Sequence, residues 1–261
     1  MDTTPAATNQ TISLADLANR YLDALQRTHD VVSYSLASFR KTNEADYDEF
    51  SRQFQLMPRQ EARLDFEKAK EATQRWVLRT SLADALSLVV PLMEDCRTLA
   101  EVCAGKAAGK NDPADLQRIT NEARTEFLKL PVTAKFDYLA EKYGMVCEVR
   151  EHILELMDIS RCLTLRDGLV TTDFAPEGGA LKVKIRGVQI TQAPSEAAGQ
   201  SRPGVLSLVR TVADTEKVFP VGERISFTKA DHIGSLLTIG IALTNFLQGL
   251  QAFAVKSGAA N

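Results

Sequence analysis

Across most of the chain apolar residues return every three or four positions, a spacing that only helices packed by one face can satisfy. Leu14, Leu17, Tyr21, Leu25, Val32, Leu36 and Phe39 follow it with one break near His29. Ser13, with Asp16 three positions on, supplies a capping pair, so the first helix is expected to reach about Arg40. Residues 43–56 are acidic and aromatic and predict a shorter helix ending before Pro58. From 59 to about 104 the period resumes through Leu82, Leu86, Val89, Met93, Leu99 and Val102. Pro91 is expected to kink or break that helix, because it removes an amide donor and crowds the preceding turn. Trp76, set among charges such as Arg75 and Arg79, is expected to anchor these helices to the core.

GKAAGKND (105–112) reads as a linker, and Asp112 before Pro113 is a strong helix start. That helix runs to about Leu130; another follows Pro131 to Tyr143, with Gly144 as its C-cap. A further helix over 147–165 is stopped by Asp167-Gly168. The period then changes to two. Leu181, Val183 and Ile185 alternate with Lys182, Lys184 and Arg186 as in a strand, and 205–212 and 223–227 suggest two more short strands around a polar loop at 193–204. Thr228 can cap a last helix reaching about Lys256. The expected fold is mainly α, a helical bundle with a small antiparallel β-insertion (α+β). Its parts are a disordered N-terminus at 1–10, an N-terminal helical region at 11–104, and a helical domain at 112–256 with the insertion at about 180–228.

A chain of 261 residues that is 44% hydrophobic can bury a sizeable core. Its net charge of −3 gives no global basic field for nucleic acid, although 31 Lys and Arg can still cluster locally. Residues 1–10 lack the apolar run of a signal peptide, and 236–253, the nearest to a membrane span, is interrupted by Thr, Asn and Gln. Cys96 and Cys103 are two helical turns apart, about 10 Å by helical rise, too far for a disulfide. With Cys147 and Cys162 they read as buried reduced thiols, which suits a cytoplasmic protein without a membrane.

Catalytic signatures are missing. There is no G-x-G-x-x-G, no phosphate-binding G-x-x-x-x-G-K-[ST] and no G-x-S-x-G, and the three histidines, His29, His152 and His232, share no ligand spacing. The acidic stretch Glu44, Asp46, Asp48 and Glu49 reads as a solvated helix face, and His152, among Glu148, Glu151 and Glu155, as a solvated or capped histidine. No metal or cofactor is expected.

One stretch stands apart. LMDISRCLTLRDGLV (156–170) ends a helix in a glycine turn, after KFDYLAEKYGM (135–145). It resembles the hallmark helix of bacterial HEPN proteins, Arg-Asn-Cys-Leu-Val-His and a short turn with Gly. Cys162, Leu163 and Gly168 match, and Arg161 falls where the family has Asn. Lys135, Phe136, Leu139, Lys142 and Gly144 fit the preceding helix, and the closing 219–247 fits the family's glycine, strand and capped helix, so the resemblance covers about 112–255. It implies a dimer pairing its hallmark helices, for which Val149, Ile153, Leu156, Met157 and Leu163 offer an apolar face, and a setting in bacterial defence or toxin–antitoxin systems. Active HEPN ribonucleases carry Arg with His five to seven positions later, the His moving a proton and the Arg stabilising phosphate charge. Here those two positions are Ser160 and Leu165, and Arg224 to His232 misses the spacing by one.

The resemblance therefore implies a non-catalytic binding or regulatory protein, with RNA or a protein as partner. Arg161 and Arg166 are candidate phosphate or RNA contacts, or cations favoured by a helix C-terminus. Lys182, Lys184 and Arg186 form a candidate basic strip, or simply the wet side of a half-covered sheet. A second reading is a ribonuclease with a displaced site, using Arg161 and Arg166 with His152 or His232. A third is a structural protein–protein interaction module, with an exposed apolar patch on the N-terminal helices.

Overall fold

In the computed structural model residues 13–53, 63–175, 179–193 and 207–258 are described. The helices are α1 (Leu14–Ser38), α2 (Glu44–Gln53), α3 (Phe66–Leu86), α4 (Val89–Ala107), α5 (Pro113–Lys129), α6 (Val132–Tyr143), α7 (Arg150–Leu165) and α8 (Lys229–Lys256). Two strands, β1 (Ala180–Ala193) and β2 (Ser207–Pro220), form an antiparallel ribbon. The protein is thus mainly helical with a small β-insertion.

Local chemistry sets most boundaries. Ser13 Oγ accepts the Asp16 amide at 3.0 Å to open α1. Asp112 Oδ1 accepts the Ala114 amide at 3.1 Å ahead of Pro113. Gly144 closes α6 at φ 70°, where a side chain is disfavoured. Thr228 and Asp231 cap α8 reciprocally: Thr228 Oγ1 accepts the Asp231 amide at 3.2 Å and Asp231 Oδ2 accepts the Thr228 amide at 2.9 Å.

Three expectations need correction. The break in the long helix falls at Ser87-Leu88, and Pro91 sits intact in the first turn of α4, where a missing N–H costs nothing. The second strand is one 14-residue element, Ser207–Pro220, and the segment 223–227 contributes only an isolated bridge from Arg224 to Leu169. Its polar run, Thr211 to Lys217, hid the strand because one face of a two-stranded ribbon stays wet. The expected disorder at 1–10, the end of the helix before Pro58 and most of the polar loop lie outside the described residues.

The chain forms two compact units. One comprises Met1–Ala24, Pro91–Cys147 and Leu243–Asn261. Its core is Leu92, Met93, Cys96 and Ala100 of α4, Phe127 of α5, Phe136 and Leu139 of α6, and Phe246 of α8, all buried. Rings stack at its heart, with Phe136 and Phe246 centroids 5.6 Å apart. Tyr21 donates to Asp95 Oδ2 at 2.7 Å, and Tyr143 donates to Glu101 Oε1.

The other unit comprises Leu25–Val90 and Glu148–Ala242. Here α7 packs on α3 and on β1. Ile153, Leu156, Ile159 and Cys162 face inward with Val183 and Ile185 of the strand and Ile239 of α8. Of the face expected to pair two copies, Val149, Ile153 and Leu156 are therefore already buried within one chain. The β1 edge away from β2 is not left raw: the Lys184 amide donates to Glu155 Oε2 of α7 at 2.7 Å, and the Arg186 amide to Thr238 Oγ1 of α8 at 2.8 Å. Covering an edge strand this way blocks pairing with another chain.

By length and hydropathy alone the stretch 66–107 and α8 would be long enough to cross a membrane. In this fold the first is broken at Ser87-Leu88, and in α8 Ile239, Ala242, Leu243 and Phe246 are fully buried against protein.

Candidate binding cleft

A broad concavity lies within the second unit, against α3, the turn after α7 and the segment 224–227. Its volume is about 690 Å³. Ala69, Ala72 and Thr73, one face of α3, form a floor of small side chains, and Leu64, Leu78, Leu163, Ile225 and Phe227 supply apolar walls. Arg75, Trp76 and Arg79 of the same helix, with Arg224, add one aromatic ring and three cations. The stretch from Ala69 to Arg79 spans about 15 Å of helix at ~1.5 Å per residue.

Trp76 is 55% exposed, which overturns its expected role as a core anchor. The inward positions of α3 are Val77, Leu78, Ser81, Leu82, Ala85 and Leu86, a face rotated one residue from Trp76. A lone exposed indole bordered by guanidinium groups is what a binding surface uses, since it offers large contact area at small entropic cost.

The turn after α7 holds the charged end of the cleft. Asp167 adopts φ 49°, one of the few conformations Asp tolerates better than most residues, followed by Gly168 at φ 76°. This turn carries the Asp167 carboxylate to two arginines. Arg224 Nη1 donates to Asp167 Oδ2 at 2.6 Å and to its backbone carbonyl at 2.7 Å, while Arg79 Nη1 lies 3.6 Å from Oδ1. Two of the three lining cations therefore share the one lining carboxylate, and the cleft keeps an excess of positive charge beside its apolar floor.

The residues singled out from sequence lie elsewhere. Arg161 pairs with Asp158 at 3.2 Å and sits over the Phe174 ring, and Arg166 lies 3.6 Å from Asp173. Both are largely solvent-exposed, as helix-end cations are. His152 and Arg161 are nine residues apart on α7, about 13 Å along the axis and on opposite faces. Of the two expected states, solvated or capped, the solvated one does not hold: His152 is largely buried, with Nε2 3.4 Å from Asp214 Oδ1 but outside hydrogen-bond alignment. Arg186 reaches the same carboxylate, its Nε at 2.9 Å. One carboxylate thus draws together two of the singled-out residues, His152 and Arg186.

His232 is also removed from solvent, only 2% exposed, with Nε2 3.2 Å from Ser81 Oγ. Burial, with a smaller contribution from His29, holds its pKa down to about 4.

The strip Lys182, Lys184 and Arg186 runs along the outer face of β1, and its cross-strand partners are Val218, Glu216 and Asp214. Two of its three cations face carboxylates across the ribbon, so the strip is close to charge-balanced. Among the described residues, no group of three or more His, Cys, Asp or Glu could hold a metal ion. All four cysteines are free, and three are buried, Cys96, Cys147 and Cys162.

The chain matches no family model, and no curated protein and no solved structure is similar to it.

Proposed function

We propose that this chain is a non-catalytic, HEPN-like binding or regulatory protein, with the cleft on α3 as its working surface. What supports the binding reading is the pairing of an exposed Trp76 with Arg75, Arg79 and Arg224 around an apolar floor, a combination with no structural necessity. What weighs against catalysis is the state of the histidines. A proton carrier must titrate near neutrality within reach of its substrate. His232 is buried with a depressed pKa, and the helix holds His152 about 13 Å from Arg161 along its axis. Neither observation favours the displaced-site ribonuclease. The HEPN likeness rests on the residues of 156–170 and their flanks, and with it the cytoplasmic defence or toxin–antitoxin setting and the homodimer.

RNA is the partner class that the likeness suggests, and the cleft has the chemistry for it: an indole to stack on an unpaired base and guanidinium groups for phosphate. The test is a titration with labelled structured RNA at two salt concentrations, with the same samples run on a denaturing gel. Salt-sensitive binding without cleavage, weakened in Trp76→Ala and Arg224→Ala, is the expected result. Cleavage lost in His152→Ala or Arg161→Ala would overturn the non-catalytic reading.

A second reading is favoured by Val31, Tyr34 and Phe50 of α1 and α2, all more than half exposed. Large apolar side chains left in water at this density fit a protein partner. RNA that neither binds nor is cut, with Trp76→Ala indistinguishable from the native chain, would shift the reading to this one.

A further inference from the structure

The first unit contains a cation whose placement has no internal explanation. Arg97, in the middle of α4, has no exposed surface. Its Nη2 donates to Thr98 Oγ1 at 2.7 Å and its Nη1 reaches the Thr120 carbonyl at a long 3.4 Å, while Nε is buried without any partner. Its guanidinium also lies over the Phe127 ring, 5.8 Å from the centroid. Among the described residues no carboxylate stands within ion-pair distance of it. Glu101 and Glu94 act on its charge only from beyond that distance, and burial outweighs them, holding the guanidinium pKa below its usual value; such a group without a contacting anion carries a large desolvation penalty.

The carboxylates nearby are committed elsewhere. Glu94 faces Lys135 Nζ at 3.7 Å, Asp95 accepts from Tyr21 and lies 3.4 Å from Arg20, and Glu101 takes Lys142 Nζ at 2.6 Å together with the Tyr143 hydroxyl. Five cations, Arg20, Arg97, Arg124, Lys135 and Lys142, thus surround three carboxylates. Arg97 borders a pocket of about 240 Å³ between α4 and α5, whose lining also includes Glu94 and Asp95. Across that pocket α5 contributes Asn121 and Arg124 three residues apart, so both are within one turn and can point toward the same volume. Arg124 likewise has no carboxylate within ion-pair distance among the described residues. The hydroxyls of Thr98 and Thr120 spend their protons on the Glu94 and Gln117 carbonyls, which leaves the two guanidinium groups and the Asn121 amide as the free donors.

We propose that this pocket is a binding site for a tetrahedral oxyanion of the phosphate class, gripped by Arg97 from α4 and by Arg124 and Asn121 from α5. Planar guanidinium forks match two oxygens of such an anion at once, and an amide donor fills a third. The pocket volume accommodates either the free ion or the phosphoryl end of a small ester, with no room for a large apolar body. Binding would supply the contacting anion that Arg97 lacks and would tie α4 to α5. This site is separate from the cleft on α3 and does not depend on the HEPN reading.

The experiment uses the full chain and inorganic phosphate as the probe, with sodium chloride at matched ionic strength as the reference. Melting temperature is followed through the titration and direct binding is measured by calorimetry. A saturating, phosphate-specific rise is expected. Arg124→Glu, at an exposed position, should weaken binding about tenfold or more, since one charge-assisted contact is lost and a repulsive one gained. Arg124→Lys should retain most of it. Arg97→Gln should abolish the response, and if that variant fails to fold the Arg124 pair carries the test. Methyl phosphate binding within a few-fold of phosphate assigns the site to a phosphoryl group on a larger molecule; rejection of the ester assigns it to the free ion. Identical melting in phosphate and chloride, or an undiminished response in Arg124→Glu, would overturn the proposal.

Discussion

His232 should make this protein acid-sensitive by an amount that its burial sets. Ser81 Oγ donates to the Leu78 carbonyl at 3.1 Å, so its lone pair accepts the Nε2–H of the imidazole and Nδ1 is left without a partner in the core. Protonating Nδ1 places a charge where nothing compensates it, which is why the pKa falls from 6.5 to about 4. In the unfolded chain the same group binds its proton at about pH 6.5. Between those values the unfolded state holds the extra proton, so stability is fully present above pH 6.5 and is lost as pH falls toward 4. Integrating the two titrations from pH 7 to pH 5 gives a loss of about 2 kcal/mol, and about 3 kcal/mol over the whole window. For a chain of this size about 2 kcal/mol corresponds to a fall in Tm of roughly 4–8 °C. The assay is urea denaturation at pH 7.5, 6.0 and 5.0, run on the native chain and on His232→Gln. The variant lowers stability at pH 7.5 through its imperfect fit but should flatten the acid slope across that window. An identical slope in both proteins would show that other groups govern the acid response, and the inference from burial would fail.

Two further perturbations test the packing directly. Gly234→Ala places a Cβ 3.0 Å from the Arg186 carbonyl oxygen, a backbone atom held in the β ribbon. Helix α8 would have to move off β1, so a loss of about 1–3 kcal/mol is expected, read from the urea midpoint, whereas a neutral result would mean the helix slides freely. Among the thiols, burial pushes Cys96 up to about 12 and raises Cys103 and Cys162 as well, but Cys103 is only part-buried where the other three are buried. Alkylation of the native chain at pH 8 should therefore modify Cys103 first and Cys96 last, as mass spectrometry of digests would show; early loss of Cys96 would contradict the core assignment.

The fold was legible in the sequence because helix boundaries are written in single residues. Ser13, Asp112-Pro113, Gly144, Asp167-Gly168 and Thr228 each fix a backbone conformation within one turn, and the structure ends or begins a helix at every one. Where the expectation slipped, the deciding contact lay far along the chain. Pro91 looks like a breaker until the chain upstream is seen to break at Ser87-Leu88, and the second half of β2, past Val212, looks too polar for a strand until β1 is laid beside it. The cleft was hidden for the same reason. Trp76 and Arg79 belong to α3, Asp167 to a turn some ninety residues later and Arg224 to a segment nearly sixty beyond that, with no local spacing to link them. Arg161 and Arg166 attracted attention because they stand close together in sequence. Proximity along a helix, though, is weak grounds for a site, since residues five apart are turned about 140° from one another. Arg97 makes the converse point. Within a charged helical stretch it reads as an ordinary surface cation, and only the packing of α4 against α5 shows it to be buried beside a pocket, with no carboxylate within ion-pair distance of its guanidinium among the described residues. The sequence signal for such a site is therefore not a motif but a charge that falls on the apolar stripe: Arg97 follows Met93 by four and precedes Ala100 by three, both of them fully buried.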